Sequence, residues 1–440
     1  MVVVGGGYTG MWTAWELLEA GARVALLEAR ACGHGPSGRN GGFCESMWLS
    51  APALRDRFGD AQARALLDAS STAVTTIGDW CSEQEVDAWF DQSGYVCVST
   101  APAFDDVGRA AVAAAAELGA PDRVQELSAA AVRERCVSPV FGRGVLIPDF
   151  ATLQPARLAH GLRAALLKRG ARIFERSPVR DLRAHAGANG DRSGVTVETA
   201  GGQVRAGAAV LAVGPAARGL SELRSRLTVT SSHIVLTEPV PDLLEEIGWT
   251  GGECITDGRT LLHYFRTTRD GRIAFGWGGG RLAWGARTGG RVEVDPGVAE
   301  QVRGHLERIF PALAGRRITH AWGGPIDVSP SHLPQIGTLP GGPVHFAFGF
   351  TGNGVGPSNL AGRTLASLAL DRRDELTRLP LVDSGAGAWV PPEPLAFLGG
   401  SLVRSALLRV ERAAETGERA DPLTRALCAA PRALGMHLGR

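Results

Sequence analysis

Three valines, Val2 to Val4, run straight into Gly5-Gly6-Gly7-Tyr8-Thr9-Gly10. Gly5, Gly7 and Gly10 make a G-x-G-x-x-G. Gly5 permits a tight turn out of a strand, Gly7 lets backbone approach a pyrophosphate, and Gly10 allows a helix to pack closely on that strand. Trp12, Trp15, Leu17 and Leu18 give residues 11–20 their apolar faces, and Gly21 stops the helix. Residues 23–28 form the next strand and end on Glu28, placed to hydrogen-bond a ribose diol. Strand, glycine turn, helix and second strand are complete by residue 28, which defines a βαβ unit that binds a dinucleotide. The phosphates belong on the helix N-terminus, beside the amides of Tyr8 and Thr9, with Ala29 and Arg30 near the ribose. An acidic residue at position 28 disfavours a 2′-phosphate, so FAD or NAD fits better than NADP.

Two further segments favour FAD. Residues 31–42 read ACGHGPSGRNGG, a glycine-rich loop just after the ribose acid, suited to a cofactor that extends well beyond its pyrophosphate. Ser37, Gly38, Arg39, Asn40, Gly41 and Gly42 are its candidate contacts. Residues 349–358 read GFTGNGVGPS, between a strand at 345–348 and a helix at 359–370. Gly352, Asn353, Gly354, Val355 and Gly356 offer backbone amides at a second helix N-terminus, which stabilises negative charge of the kind a reduced flavin carries. Asn353 is a candidate for capping that helix and for meeting the flavin.

The chain has 440 residues, enough for more than one core. Nucleotide-binding pieces occur at both ends and in the middle, separated by antiparallel β material. The sequence therefore predicts two interleaved domains. An α/β Rossmann-like FAD-binding domain of the glutathione-reductase type takes residues 1–80, 145–225 and 320–378. An α+β substrate domain built on an antiparallel sheet takes 81–144 and 226–319. Residues 379–440 form a C-terminal extension with an Arg-rich amphipathic helix at 395–416, read as docked on the main body with a solvated face. Lys plus Arg number 46 against 45 Asp plus Glu, a balance that excludes a nucleic-acid partner. The 7 cysteines are odd in number and contain no Cys-x-x-Cys, against a disulfide framework or a metal site. With no basic leader and no long uncharged apolar stretch, the expectation is a cytoplasmic protein without a membrane span, monomeric or homodimeric.

With these segments in hand, the chain resembles the D-amino-acid-oxidase superfamily of flavoproteins, most closely its γ-glutamylputrescine oxidoreductase-like branch. The matching pieces are GGGYTG (5–10), LLEA (26–29), SGRNGG (37–42), HYFR (263–266), DGRIAFG (270–276), WGGPIDVSPSHLPQIG (322–337) and GFTGNGVGPSNLAGR (349–363). The resemblance implies an FAD domain and a substrate domain whose antiparallel sheet covers the flavin. RSPVRDL and VLAVGP place Val179 and Gly214 beside the adenine. The implied activity is FAD-dependent oxidation of a C–N bond of a small amine or amino acid to an imine, then hydrolysis, with O2 the expected electron acceptor. Gly324 stands where monomeric sarcosine oxidase attaches its flavin to a Cys, so the FAD is expected to be non-covalent.

In this chemistry the flavin performs the hard step and the protein positions a neutral amine and excludes water. No acid–base dyad is expected and none is visible. His263 leads the substrate-side candidates, at the start of a strand expected to cover the flavin. Strand alternation sends Tyr264 to the opposite face, so only one of the pair lines the site directly. Trp322 is a candidate aromatic wall and Asn353 a second polar candidate. Arg266, Asp327 and His332 are read as structural. A pyridine-nucleotide disulfide reductase would need a closely spaced Cys pair, which is absent from the sequence. A flavin aromatic hydroxylase or a non-catalytic flavoprotein stays as the alternative.

Overall fold

The computed structural model describes residues 1–185, 194–385 and 389–437. Strand β1 (Val2–Val4) is the centre of the first sheet. It pairs in parallel with β2 (Ala25–Leu27) on one side and with Ala209–Leu211 on the other. Every residue of these three strands is buried, as expected where helices cover both faces of a parallel sheet. Arg172–Phe174 extends the sheet beyond β2, and Val344–Phe348 extends it beyond Ala209–Leu211; Gln335–Thr338 adds an antiparallel edge. Helix α1 (Tyr8–Glu19) connects β1 to β2. A three-stranded meander, Val179–His185, Gly194–Thr199 and Gly202–Ala206, lies beside it. This is the Rossmann-like α/β arrangement that the glycine turn calls for.

The second sheet has eight strands. Their order is Gln125–Leu127, Gly144–Ile147, Tyr95–Val98, Cys254–Asp257, β3 (His263–Thr267), Ile273–Trp277, Thr228–Thr237 and β4 (Ile318–Val328). All pairings are antiparallel except that of Tyr95–Val98 with Cys254–Asp257. One face packs an aromatic core of Phe141, Trp249, Phe265, Phe275 and Phe310 under the helix Pro296–Ile309. The other face looks toward the first sheet. Because Gly144–Ile147 and β4 both belong to this sheet, the expected division at 145 and at 320 cuts through two of its strands.

Strand β4 has no counterpart in the sequence reading, since Gly323, Gly324 and Pro325 interrupt any strand pattern. It forms because it lies at the sheet edge, where the missing N–H of Pro325 costs no ladder bond. Helix α2 (Val355–Ala369) packs against α1 so closely that a Cβ at Gly362 would sit 2.5 Å from the Trp12 Cβ. It starts one turn earlier than the expected 359, and Pro357 is tolerated there because first-turn amides lack helical partners anyway.

The C-terminal extension is a hairpin of α3 (Leu395–Glu415) and α4 (Pro422–Ala433). Helix α4 is an addition to the sequence reading. Arg409 and Arg412 are exposed, as a solvated face requires, but Arg404 is not: its guanidinium donates to the Gly279 and Gly280 carbonyls. No helix among the described residues is long and apolar enough to cross a membrane.

Candidate active site

Between the two sheets lies a cavity of about 1460 Å3. At its first end, Gly5, Gly7, Tyr8 and Thr9 line the wall at the α1 N-terminus. Gly5 has φ +106°, and a Cβ there would come within 2.3 Å of the Ala212 carbonyl oxygen. The Tyr8 amide donates to the Ser37 hydroxyl at 2.9 Å, whereas its side chain points into the core and donates to the Pro155 carbonyl at 2.8 Å. Tyr8 thus turns its side chain away from the cofactor side, and its amide is held by Ser37. The Glu28 carboxylate accepts from the amides of Gly6 at 2.7 Å and Arg30 at 2.8 Å, which fixes it at the mouth of β2 where a ribose diol fits. Ala29 and Arg30 line the same corner, and Val179 and Gly214 line it from the far side.

The 31–42 loop forms the next wall, through Ser37, Arg39, Asn40 and Gly41. Asn40 spends its amide on the loop itself: it donates to Pro36 and Ser37 carbonyls and accepts from the Gly42 amide at 2.8 Å. Arg39 pairs with Glu293 at 2.9 Å, and Arg39 holds that carboxyl below its ordinary value against the opposing effect of burial. Arg266 is buried and donates to the Gly41 carbonyl at 2.6 Å, so it ties the substrate sheet to this loop, as its structural reading expects. Burial lowers its guanidinium to about 10.

At the other end, Gly352, Asn353, Gly354 and Val355 line the cavity at the α2 N-terminus. Asn353 does not cap the helix: Gly354 occupies the cap position and no side chain bonds there. Behind this turn, the buried Asp327 carboxylate accepts from the Gly349 amide at 2.6 Å, and burial raises it to about 6. Asp327 holds the turn's shape while itself lining the cavity.

Four glycines expected to touch cofactor stand behind the cavity wall instead. A Cβ at Gly10 would meet the Gly5 carbonyl oxygen at 2.0 Å, and one at Gly38 would meet that of Gly33 at 2.3 Å. At Gly42 and Gly356 it would meet the Leu153 and Glu45 carbonyl oxygens, each at 2.1 Å. These positions need glycine for backbone approach.

On the substrate side, the expected leader is corrected. His263 is fully buried and turned away from the cavity, into the core under Pro296–Ile309. Its Nδ1 lies 2.6 Å from the Asp257 carboxylate and its Nε2 lies 2.8 Å from His305 Nδ1. Burial and the neighbouring His263 lower His305 to about 3. The reason is pleat: His263 and Phe265 share the aromatic face, so Tyr264 takes the cavity face. The Tyr264 ring packs edge-on to Phe43, and its hydroxyl lies 2.5 Å from the Ser232 hydroxyl. Burial raises the phenol to about 12, so it stays neutral. Trp322 is likewise not a cavity wall. Its indole donates to the Arg39 carbonyl at 2.8 Å and buttresses the loop from behind.

The sequence reading missed Ser232, Glu293 and the C-terminal hairpin as cavity residues. Ser232 becomes visible only once the register of Thr228–Thr237 against Ile273–Trp277 is known.

The residues present fit an FAD. Gly5, Gly7 and Thr9 line a pyrophosphate position at the α1 N-terminus, Glu28 lines a ribose position and the α2 N-terminus a flavin position, and a Cβ at Gly324 would meet nothing within 4 Å on the cavity wall. A Rossmann-like sheet with this cradle, facing an antiparallel sheet across one cavity, defines an FAD-dependent oxidoreductase. The chain belongs to the FAD dependent oxidoreductase (DAO) family, whose pattern it matches over residues 1–368. It is 30% identical to γ-glutamylputrescine oxidoreductase of Escherichia coli (strain K12), over 86% of each chain. It is 28% identical to the probable oxidoreductase OrdL of Rhizobium meliloti (strain 1021), over 93% of this chain and 89% of that one. In fold it is similar to glycine oxidase from Geobacillus kaustophilus, with a TM-score of 0.71 and 20% identity over 87% of this chain and 97% of that one.

Proposed function

We propose that this enzyme oxidises a C–N bond of a small amine or amino acid. FAD supplies an acceptor for hydride at N5; water then hydrolyses the imine to a carbonyl compound and an amine or ammonia. O2 takes up the electrons afterwards, and the FAD is held without a covalent bond. The observation that carries this reading is that Tyr264 and Ser232 reach the same cavity as the cofactor cradle, from the opposite sheet.

The chain's own residues bind, orient and exclude water. Ser232 donates to the Trp277 carbonyl at 2.9 Å, so the Tyr264 proton goes to Ser232 and the Tyr264 oxygen keeps lone pairs to accept from a substrate N–H. A neutral phenol in an enclosed site holds the amine by geometry without taking its proton. The α2 N-terminus, where Gly354 and Val355 line the cavity, would favour negative charge on a bound flavin. The two sheets support a division of labour in which the first sheet and its helices hold FAD and the eight-stranded sheet, with Gly144–Ile147 and β4, holds substrate. Its test is the visible spectrum of the purified protein before and after acid precipitation, followed by anaerobic addition of an amine panel. A yellow supernatant and bleaching by one amine support the reading. A protein that stays colourless with added FAD, or a flavin that no amine bleaches, overturns it.

A further inference from the structure

We infer that the C-terminal hairpin builds the far end of the substrate chamber, which takes an amine bearing a large apolar group, an alkyl chain or aryl ring beyond the reacting carbon. This rests on the amine-oxidation reading and adds the polarity and extent of the substrate.

Val403 and Leu407 of α3 and Leu427 of α4 line the cavity from above. Leu261, Leu262 and Leu282 line it from the loops flanking β3 and Ile273–Trp277. Tyr264 belongs to the same cavity, so this apolar space is continuous with the site of chemistry. Three ionisable groups of α3 are engaged in anchoring, while Arg409 and Arg412 face solvent. Arg404 holds the Gly279 and Gly280 carbonyls, Glu411 accepts from the Leu261 amide at 2.8 Å, and Glu415 pairs with Arg259 and Arg308. The His437 amide donates to the Pro330 carbonyl at 2.8 Å, so the hairpin reaches from the substrate sheet across to the turn beside Asp327.

Two further observations point the same way. The family match ends at residue 368, ahead of the hairpin, so the roof lies outside the segment that carries the shared cradle. The cavity of about 1460 Å3 exceeds the roughly 300–1,000 Å3 of a single small-ligand site. It is shared between the dinucleotide cradle and the apolar space under the hairpin.

The test titrates the FAD-loaded full-length protein anaerobically with n-alkylamines from propylamine to decylamine, and with the matching n-alkanols. Bleaching of the flavin reads chemistry; the visible difference spectrum of the alkanol complexes reads binding alone. The expected apparent Kd falls about fourfold per methylene in both series until the roof is reached. Val403→Phe should shorten the longest chain that gains affinity, and Val403→Asp should flatten the series. Alkanols that show the length dependence while no amine bleaches the flavin would leave the chamber standing and sink the oxidation reading. Amines that bleach the flavin with affinity indifferent to chain length would overturn the apolar chamber alone. A length dependence that both Val403 variants leave unchanged would overturn the hairpin's part in it.

Discussion

The Tyr264 hydroxyl stands 2.5 Å from the Ser232 hydroxyl, whose proton is committed to the Trp277 carbonyl. Two strands thereby fix the direction of one phenolic proton. Tyr264→Phe keeps the ring against Phe43 and removes the oxygen that accepts from substrate. It should lower kcat/KM about five- to tenfold, the worth of one neutral hydrogen bond, with FAD content unchanged. Stopped-flow reduction of the flavin under anaerobic conditions measures this. An unchanged reduction rate and KM would remove Tyr264 from the site.

His263 should behave in the opposite way. Its replacement by Leu strips a partner from the buried Asp257 carboxylate, which Arg259 also contacts at 3.0 Å. The expected cost is about 3 kcal/mol of stability, with kcat of the folded fraction within about twofold. Urea unfolding beside steady-state kinetics separates the two. A fall in kcat at full stability would return His263 to the chemistry.

Gly7 and Gly10 should separate cofactor binding from folding. A Cβ at Gly7 meets only the Ser37 hydroxyl, at 3.0 Å, so Gly7→Val should fold and purify without flavin. A Cβ at Gly10 runs into backbone at 2.0 Å, so Gly10→Val should fail to fold. Circular dichroism and the ratio of visible to 280 nm absorbance report both. A fully yellow Gly7→Val protein contradicts the pyrophosphate position.

Glu28→Ala should weaken FAD about 10- to 100-fold, the value of a charge-assisted hydrogen bond, while the fold persists. Quenching of FAD fluorescence on titration gives the affinity, and an unchanged Kd would assign the ribose to another residue.

Glu411 should make the hairpin pH-sensitive. Burial, opposed by the amide of Leu261 and by Arg259, raises its carboxyl from 4.5 to about 7. Between those values the folded protein keeps a proton that the unfolded chain has released, so stability falls as pH rises through this window. The full loss is about 3 kcal/mol, complete above pH 7. Glu411→Gln should remove this part of the slope and leave the part that Asp327 contributes below about pH 6. Thermal midpoints from pH 4.5 to 8 test it, and parallel curves for the two proteins would refute it.

The cofactor side was legible in the sequence because it is made of backbone in short contiguous runs. Gly5 to Gly10, Glu28 and residues 37–41 announce their geometry by residue type alone. The substrate side was legible only in part. Alternation says that His263 and Tyr264 face opposite ways, but which one meets the cavity depends on where the helix Pro296–Ile309 packs, many residues away. Ser232 and Glu293 reach the site through register and an irregular segment that leave no local pattern. Strand β4 hid behind Gly323, Gly324 and Pro325, because an edge position excuses residues that a central strand rejects.

The pairing of β1 also has a consequence for how the chain is made. Val2 aligns with Ala25 on one side and with Ala209 on the other, and Ala209 in turn aligns with Val344. At about 5–20 residues per second, synthesis leaves the first strand waiting on the order of tens of seconds for its last neighbours. An all-valine strand without partners over that interval is a site for wrong pairing. Early association of Val2–Val4 with α1 and β2, which emerge at once, shelters that strand until the rest of the sheet arrives.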